Sequence, residues 1–303
     1  MALVLSGWWT TAHHLPDLAD NPAADVVACV EPMAERREEV AAKYSIAAFE
    51  TVDAMVASGV ALDGVVVASA HVAHFENAMA CIAAGWHVLV EKPMTTTAAE
   101  AQQLVSAAAA KGVTVSVNNT GNFDRTTDEA AALVKSGALG EVKHVVCTMA
   151  GDLADLFGSS GMDTSSPHRG GDRDAEISYA PKASTWADPK RAGGYGWGQM
   201  THSLAWAFEV SGLTPEKVFA MSGLSDAGVD YYDSATVRCT NGATMALSGA
   251  PTPILSLLVV FHSRQRNATL VCQTLFGPHL TNRVLRITCA RCGDCPHRPG
   301  HQG

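Results

Sequence analysis

The chain holds 303 residues, more than one average domain and enough for two of ordinary size. With 47% hydrophobic and 17% charged residues, it has the composition of a soluble globular chain, which excludes disorder. A net charge of -9 provides no domain-scale basic face to neutralise phosphates, so a general nucleic-acid binder is excluded.

The opening stretch MALVLSGWW has too short an apolar run for a signal peptide and lacks a basic flank and a cleavage site. The run PILSLLVVF near the end is too short to span a bilayer. A cytoplasmic location with no membrane partner is therefore the expectation, with the eight cysteines mostly reduced. Leu3 to Leu5 predicts a short strand, and Gly7 marks the turn into a helical stretch. DVVACVE is the next strand, ending on Glu31, and ERREEVAAKY follows with helical spacing. DGVVVASA predicts a buried strand, and Val72 to Ala84 a helix stopped by Gly85. HVLV is a further strand. Thr97 and Glu100 then form a capping box for a helix that Gly112 ends, and VTVSVN closes the series. Strands without polar alternation, separated by helices, mean an α/β domain with a doubly wound parallel sheet over residues 1–121.

Ligands bind such sheets at the carboxyl ends of the strands, where Glu91 and Lys92 stand. Pro93 keeps Lys92 extended, because the residue before proline is disfavoured in the helical region. Free amides at the turn after Leu5 supply a site for a pyrophosphate, with Gly7, Trp8 and Trp9 as its candidate residues. Of the G-x-G-x-x-G/A pattern only the central Gly7 is kept, since Leu5 and Thr10 hold the other positions; a plain strand-to-helix turn is the competing reading. Glu31 ends the second strand 24 residues after Gly7, where a carboxylate accepts from both ribose hydroxyls of NAD. It would repel a 2′-phosphate, so NAD is favoured, while Arg36 and Arg37 keep NADP open.

The second domain is expected over residues 122–250. Thr126 and Glu129 predict the cap of a helix that Gly137 ends, and EVKHVVCTM a strand. Residues 151 to 198 are rich in Gly, Ser, Pro and Asp, a length of loop that is usually functional. GQMTHSLAWAFEVSG is a helix apolar on nearly all sides, so His202 within it is either a satisfied core histidine or a general base. SATVRCTNGATMALSG predicts a hairpin with Asn241-Gly242 as its turn. His71 and His74 share one side of a helix start, but no third ligand stands nearby, so no metal is expected.

SAHVAH, AGWHVLVEKPMTTTAAEAQQL, KSGALGEVKHV and RAGGYGWGQMTHSLAWAFEVSGL occur in that order across residues 3 to 250. Together they resemble the glucose-fructose oxidoreductase / inositol dehydrogenase / MocA family. The resemblance implies a Rossmann domain followed by an α+β domain with an open, mainly antiparallel sheet. It implies hydride transfer between a nicotinamide cofactor and a sugar, cyclitol or related polyol, with a homo-oligomer as the expected assembly. Lys92 is implied at the substrate oxygen, with the Lys92–Pro93 bond cis, and His202 as the acid–base group. Ser69, His71, His74, Glu91 and Asn119 are implied beside the cofactor, with Asn118 lining the same cleft. Tyr179, Lys182, Trp186 and Tyr195 are implied as substrate contacts. The family's aspartate four residues before the histidine is Gly198 here, a departure that leaves a catalytically impaired, nucleotide-binding relative as the alternative.

Beyond Gly249 the composition changes. Residues 251–303 hold six arginines, no lysine, one acidic residue (Asp294), four histidines and four cysteines. Cys289, Cys292, Cys295 and His297 have a spacing tighter than usual zinc sites, and the same composition is what a shifted reading frame in GC-rich DNA produces. The expectation is an atypical tail that adds no strands and leaves the second sheet incomplete.

Overall fold

A computed structural model describes residues 1–4, 9–151, 153–158, 186–251, 255–263, 268–277, 280–289 and 293–294. Its contacts divide the chain into two units. Among the described residues, one comprises Met1–Asn118 and 186–192, the other 119–158 and Gly193 onward.

The first unit is a six-stranded parallel sheet. Its strands are β1 (Ala2–Val4), β2 (Ala28–Val30), β3 (Ala47–Phe49), β4 (Gly64–Val67), β5 (His87–Val90) and β6 (Val115–Val117), in the order β3-β2-β1-β4-β5-β6. The order reverses at β1, which places the switch point of the sheet between β1 and β4. Helices α1 (Leu15–Ala19), α2 (Ala34–Tyr44), α3 (Val52–Ala57), α4 (His74–Ala83) and α5 (Ala98–Lys111) connect the strands. Two separate clusters of buried side chains hold the sheet: Val65, Val67, Val88 and Val90 with α4 and α5 residues in one, Cys29 and Val66 with Leu15 and Val40 in the other. Alternate residues of β4 thus serve opposite faces, as a sheet covered on both sides requires. The Thr97–Glu100 capping box is present, and α5 ends on Gly112 at φ +72°.

The second unit begins with α6 (Arg125–Lys135), β7 (Val142–Gly151) and α7 (Ala154–Phe157), then α8 (Thr201–Ser211), entered through a π-helical turn over Gly196–Met200. The cap of α6 differs from expectation. Asp124, not Thr126, is the cap, its side chain accepting from Thr126 N. Strands β8 (Pro215–Leu224), β9 (Asp230–Cys239) and β10 (Thr244–Pro251) follow, with the Asn241-Gly242 turn between the last two. Edge strand β8 is exposed along its whole length.

The tail expectation is corrected. Residues 251–303 contribute β11 (Leu255–Ser263), β12 (Ala268–Gly277), β13 (Leu280–Cys289) and β14 (Gly293–Asp294) to an eight-stranded sheet, ordered β14-β13-β12-β11-β7-β10-β9-β8. Apart from the parallel β7–β10 pair, the sheet is antiparallel. Average charge and cysteine content hid runs such as SLLVVF and ATLVCQTLF, whose β-branched and aromatic residues suit a pleated, half-buried surface. Val259, Phe261 and Leu270 are buried, and Phe261 packs against Trp206 of α8 with ring centroids 5.9 Å apart. Cys292, Cys295 and His297 lie outside the described residues.

Candidate active site

The carboxyl end of β5 carries Glu91 and Lys92, and the Lys92–Pro93 peptide bond is cis. Glu91 is almost wholly buried. Its carboxylate gathers three donors: His14 Nε2 at 2.8 Å, Asn118 Nδ2 at 2.6 Å and its neighbour's amide, Lys92 N, at 3.1 Å. A carboxylate only accepts, so the His14 Nε2 in this pair carries the hydrogen. Burial works against the charge of Glu91, but the bonds from His14 and Asn118 and the nearby Lys92 outweigh it, holding the carboxyl at about 2. Burial lowers Lys92 to about 8, with the Glu91 charge opposing.

Two further side chains fix this corner. His74 is fully enclosed, its Nδ1 2.7 Å from Pro93 O and its Nε2 2.8 Å from Ser69 O. A neutral imidazole donates from one nitrogen only, so the two carbonyls favour the charged ring; burial outweighs them and lowers the pKa. His74 thereby ties the turn after β5 to the turn after β4. His71 bonds through Nδ1 to Ala192 O at 2.9 Å, and burial lowers it to about 4, with that bond opposing. The Trp186 ring stands edge-on to His71, centroids 4.8 Å apart, and lies 5.3 Å from Lys92 Nζ. Lys92, His71 and Trp186 therefore converge: a partly buried ammonium beside an aromatic ring. Ser69 Oγ accepts from Asn77 Nδ2 at 3.2 Å.

Glu31 closes β2 with only 3% of its surface exposed. Its Oε1 accepts from Met33 N at 2.9 Å, and Arg37 Nη1 donates to the carbonyls of Glu31 and Pro32 at 2.8 and 3.1 Å. Trp9 is partly exposed and tilts against His13. Gly7, Trp8, Tyr179 and Lys182 lie outside the described residues.

In the second unit His202 stands in the first turn of α8, partly exposed. Asn119 has its Oδ1 buried with no hydrogen-bond partner among the described residues. Tyr195, implied as a substrate contact, is wholly enclosed: it packs on Phe157 and donates its hydroxyl to Met149 O at 3.3 Å. Among the described residues no group of three His, Cys, Asp or Glu could hold a metal, and no helix is long and apolar enough to cross a membrane.

The sequence reading did not single out His14 or Asn77. His14 sits 77 residues from Glu91 and carries no motif; only the sheet order brings the two together.

Comparison with known proteins gives two family models. One, described as an oxidoreductase family with an NAD-binding Rossmann fold, matches residues 2–119; the other, the GFO/IDH/MocA C-terminal domain, matches residues 127–250. The chain is 35% identical over 144 residues to the uncharacterized oxidoreductase YhhX of Escherichia coli (strain K12), covering 48% of this chain and 42% of that protein. It is 40% identical over 82 residues to the scyllo-inositol 2-dehydrogenase (NADP(+)) IolW of Bacillus subtilis (strain 168), covering 27% and 23%. The chain thus spans less than half the length of either relative. In fold it is similar to the WlbA dehydrogenase of Bordetella pertussis, solved with NADH and UDP-GlcNAcA, at a TM-score of 0.71 and 18% identity, covering 90% of this chain and 78% of that one.

Proposed function

This chain belongs to the Gfo/Idh/MocA oxidoreductase family, and on that premise we propose that it is a nicotinamide-dependent dehydrogenase or reductase acting on a CH–OH group of a sugar, cyclitol or related polyol. The observation that carries the reading is Lys92: a partly buried ammonium at the end of β5, backed by the Glu91 network and flanked by Trp186.

The residues present fit a dinucleotide. Glu31 offers a buried acceptor at the end of β2, the chemistry a ribose diol requires, and Asn119 holds an enclosed oxygen in need of a donor. When bound, the nicotinamide accepts or supplies the hydride. Lys92 holds the substrate oxygen and stabilises the negative charge that develops there. His202 takes the hydroxyl proton during oxidation and returns it in the reverse direction. Ser69, His71 and His74 shape the wall around Lys92, and the Trp186 ring gives a sugar an apolar face to lie against.

NAD is the preferred cofactor in this reading. Glu31 would lose ribose hydrogen bonds to a 2′-phosphate and face its charge, and Arg37 is held on backbone carbonyls. One charged hydrogen bond is worth about 1.5–3 kcal/mol, so NAD should bind at least about tenfold more tightly than NADP. The test is a panel of sugars and cyclitols with each cofactor, following absorbance of the reduced nicotinamide. Turnover with NAD supports the proposal. Cofactor binding without turnover on any substrate would favour the impaired relative, and tighter NADP binding would overturn the role of Glu31.

A further inference from the structure

The turn that feeds the His202 helix rests on the carboxyl group of Asp230 in β9, with Asp233 beside it. Gly196 donates its amide to Asp230 Oδ2 at 2.5 Å. Gly194 has φ +114°, and a Cβ there would stand 2.0 Å from Asp230 Oδ1, so this residue has room for no side chain. Asp230 and Asp233 are three residues apart, which in a regular strand would point them to opposite faces. Here β9 carries one extra residue. Gly223 of β8 pairs with Tyr232 and Leu224 with Asp230, so Tyr231 is bulged and both aspartates reach one side.

A Cβ on Gly196 would lie 3.2 Å from Asp230 Oδ2 and 3.7 Å from Asp233 Oδ2, so the two oxygens border the same space. Ser222 Oγ donates to Asp233 Oδ1 at 2.6 Å, whereas Asp233 Oδ2 is enclosed with no partner among the described residues. Two carboxylates side by side repel. Below a pH of about 6, a proton held on Asp233 and donated to Asp230 removes the repulsion and satisfies that oxygen. Burial raises Asp233 to about 6, with Ser222 opposing and Asp230 adding. Tyr195, a further titratable neighbour, is pushed upward by burial and then by Asp233. The same turn is seated from its other flank. Gly249, opposite Asp233 in the ladder, leaves the space that Met200 Sδ and Tyr195 fill; a Cβ there would lie 2.6 and 2.9 Å from them.

We propose that Asp230, paired with Asp233, is a positioning residue that fixes the entry of the His202 helix and with it the place of the imidazole. Its carboxylate binds the first amide of the π-helical turn, where the helix dipole favours negative charge. The catalytic part of the inference rests on the proposed role of His202; the positioning part does not.

Hydrogen exchange of the whole 303-residue chain separates the two. Asp230→Ala should speed exchange of the amides at 196–202 by about tenfold or more, leave the β9–β10 ladder protected, and lower kcat by roughly 10- to 10²-fold with NAD affinity unchanged. Asp230→Asn should restore most of both, since its amide oxygen accepts from Gly196 and its NH₂ donates to Asp233. Gly194→Ala, with Asp230 intact, should loosen the same amides by forcing the carboxylate away, which keeps the test open if Asp230→Ala fails to fold. Unchanged exchange at 196–202 in both variants, or equal loosening throughout the sheet, would overturn the positioning role. Faster exchange with unchanged kcat would uphold the positioning role and instead contradict the role proposed for His202.

Discussion

Glu91 and Lys92 are neighbours with opposite electrostatic histories. Burial lowers Lys92 to about 8, and the Glu91 carboxylate is what keeps it from falling further. If the charged ammonium is needed, activity should fall as pH rises through about 8. Glu91→Gln removes the supporting charge, so the descending limb of kcat/KM against pH should move to lower pH; a limb that stays in place would separate that limb from Lys92. Glu91 itself has a depressed folded-state value, so its contribution to stability is present above the ordinary carboxyl range and is lost as pH falls towards about 2. At this scale the sequence was legible where backbone chemistry dictates position. Pro93 forces Lys92 off the strand end, and Glu31 closes a strand. It was not legible for His14, whose partnership with Glu91 depends on strands far apart in the chain, nor for Tyr195, whose loop sequence gave no sign of burial.

Among the elements, the first unit was readable because a helix-covered parallel sheet writes itself as unbroken apolar runs between capped helices. The Thr97–Glu100 box and Gly112 marked both ends of α5. The start of α6 was misread because Thr126 with Glu129 has capping-box spacing, yet Asp124 two residues earlier makes the bond to Thr126 N. Asp124→Ala should therefore cost about 1 kcal/mol in denaturant unfolding, and Thr126→Ala only a few tenths. The reverse order would restore the first reading. Strands β3 and β8 escaped notice for different reasons: β3 is only three residues long, and β8 is exposed throughout and lacks a buried face to imprint alternation.

For the molecule as a whole, the tail decides whether the second sheet is complete. Strand β11 pairs with β7 in the middle of the sheet, and Phe261 meets Trp206 on the His202 helix. Truncation after Pro251 would open the edge of β7 and uncover that contact, so the shortened chain should aggregate or lose the cooperative unfolding of its second unit. A truncated chain as stable and monodisperse as the full one would show those strands to be dispensable. Whether hydride transfer is promoted at the end of β5 is decided by kcat of Lys92→Ala, measured beside NAD affinity on the same sample. A fall of roughly 10²-fold or more in kcat is expected, with NAD affinity little changed, because the ammonium would act on the developing charge and not on the dinucleotide. Undiminished kcat in that variant would contradict it.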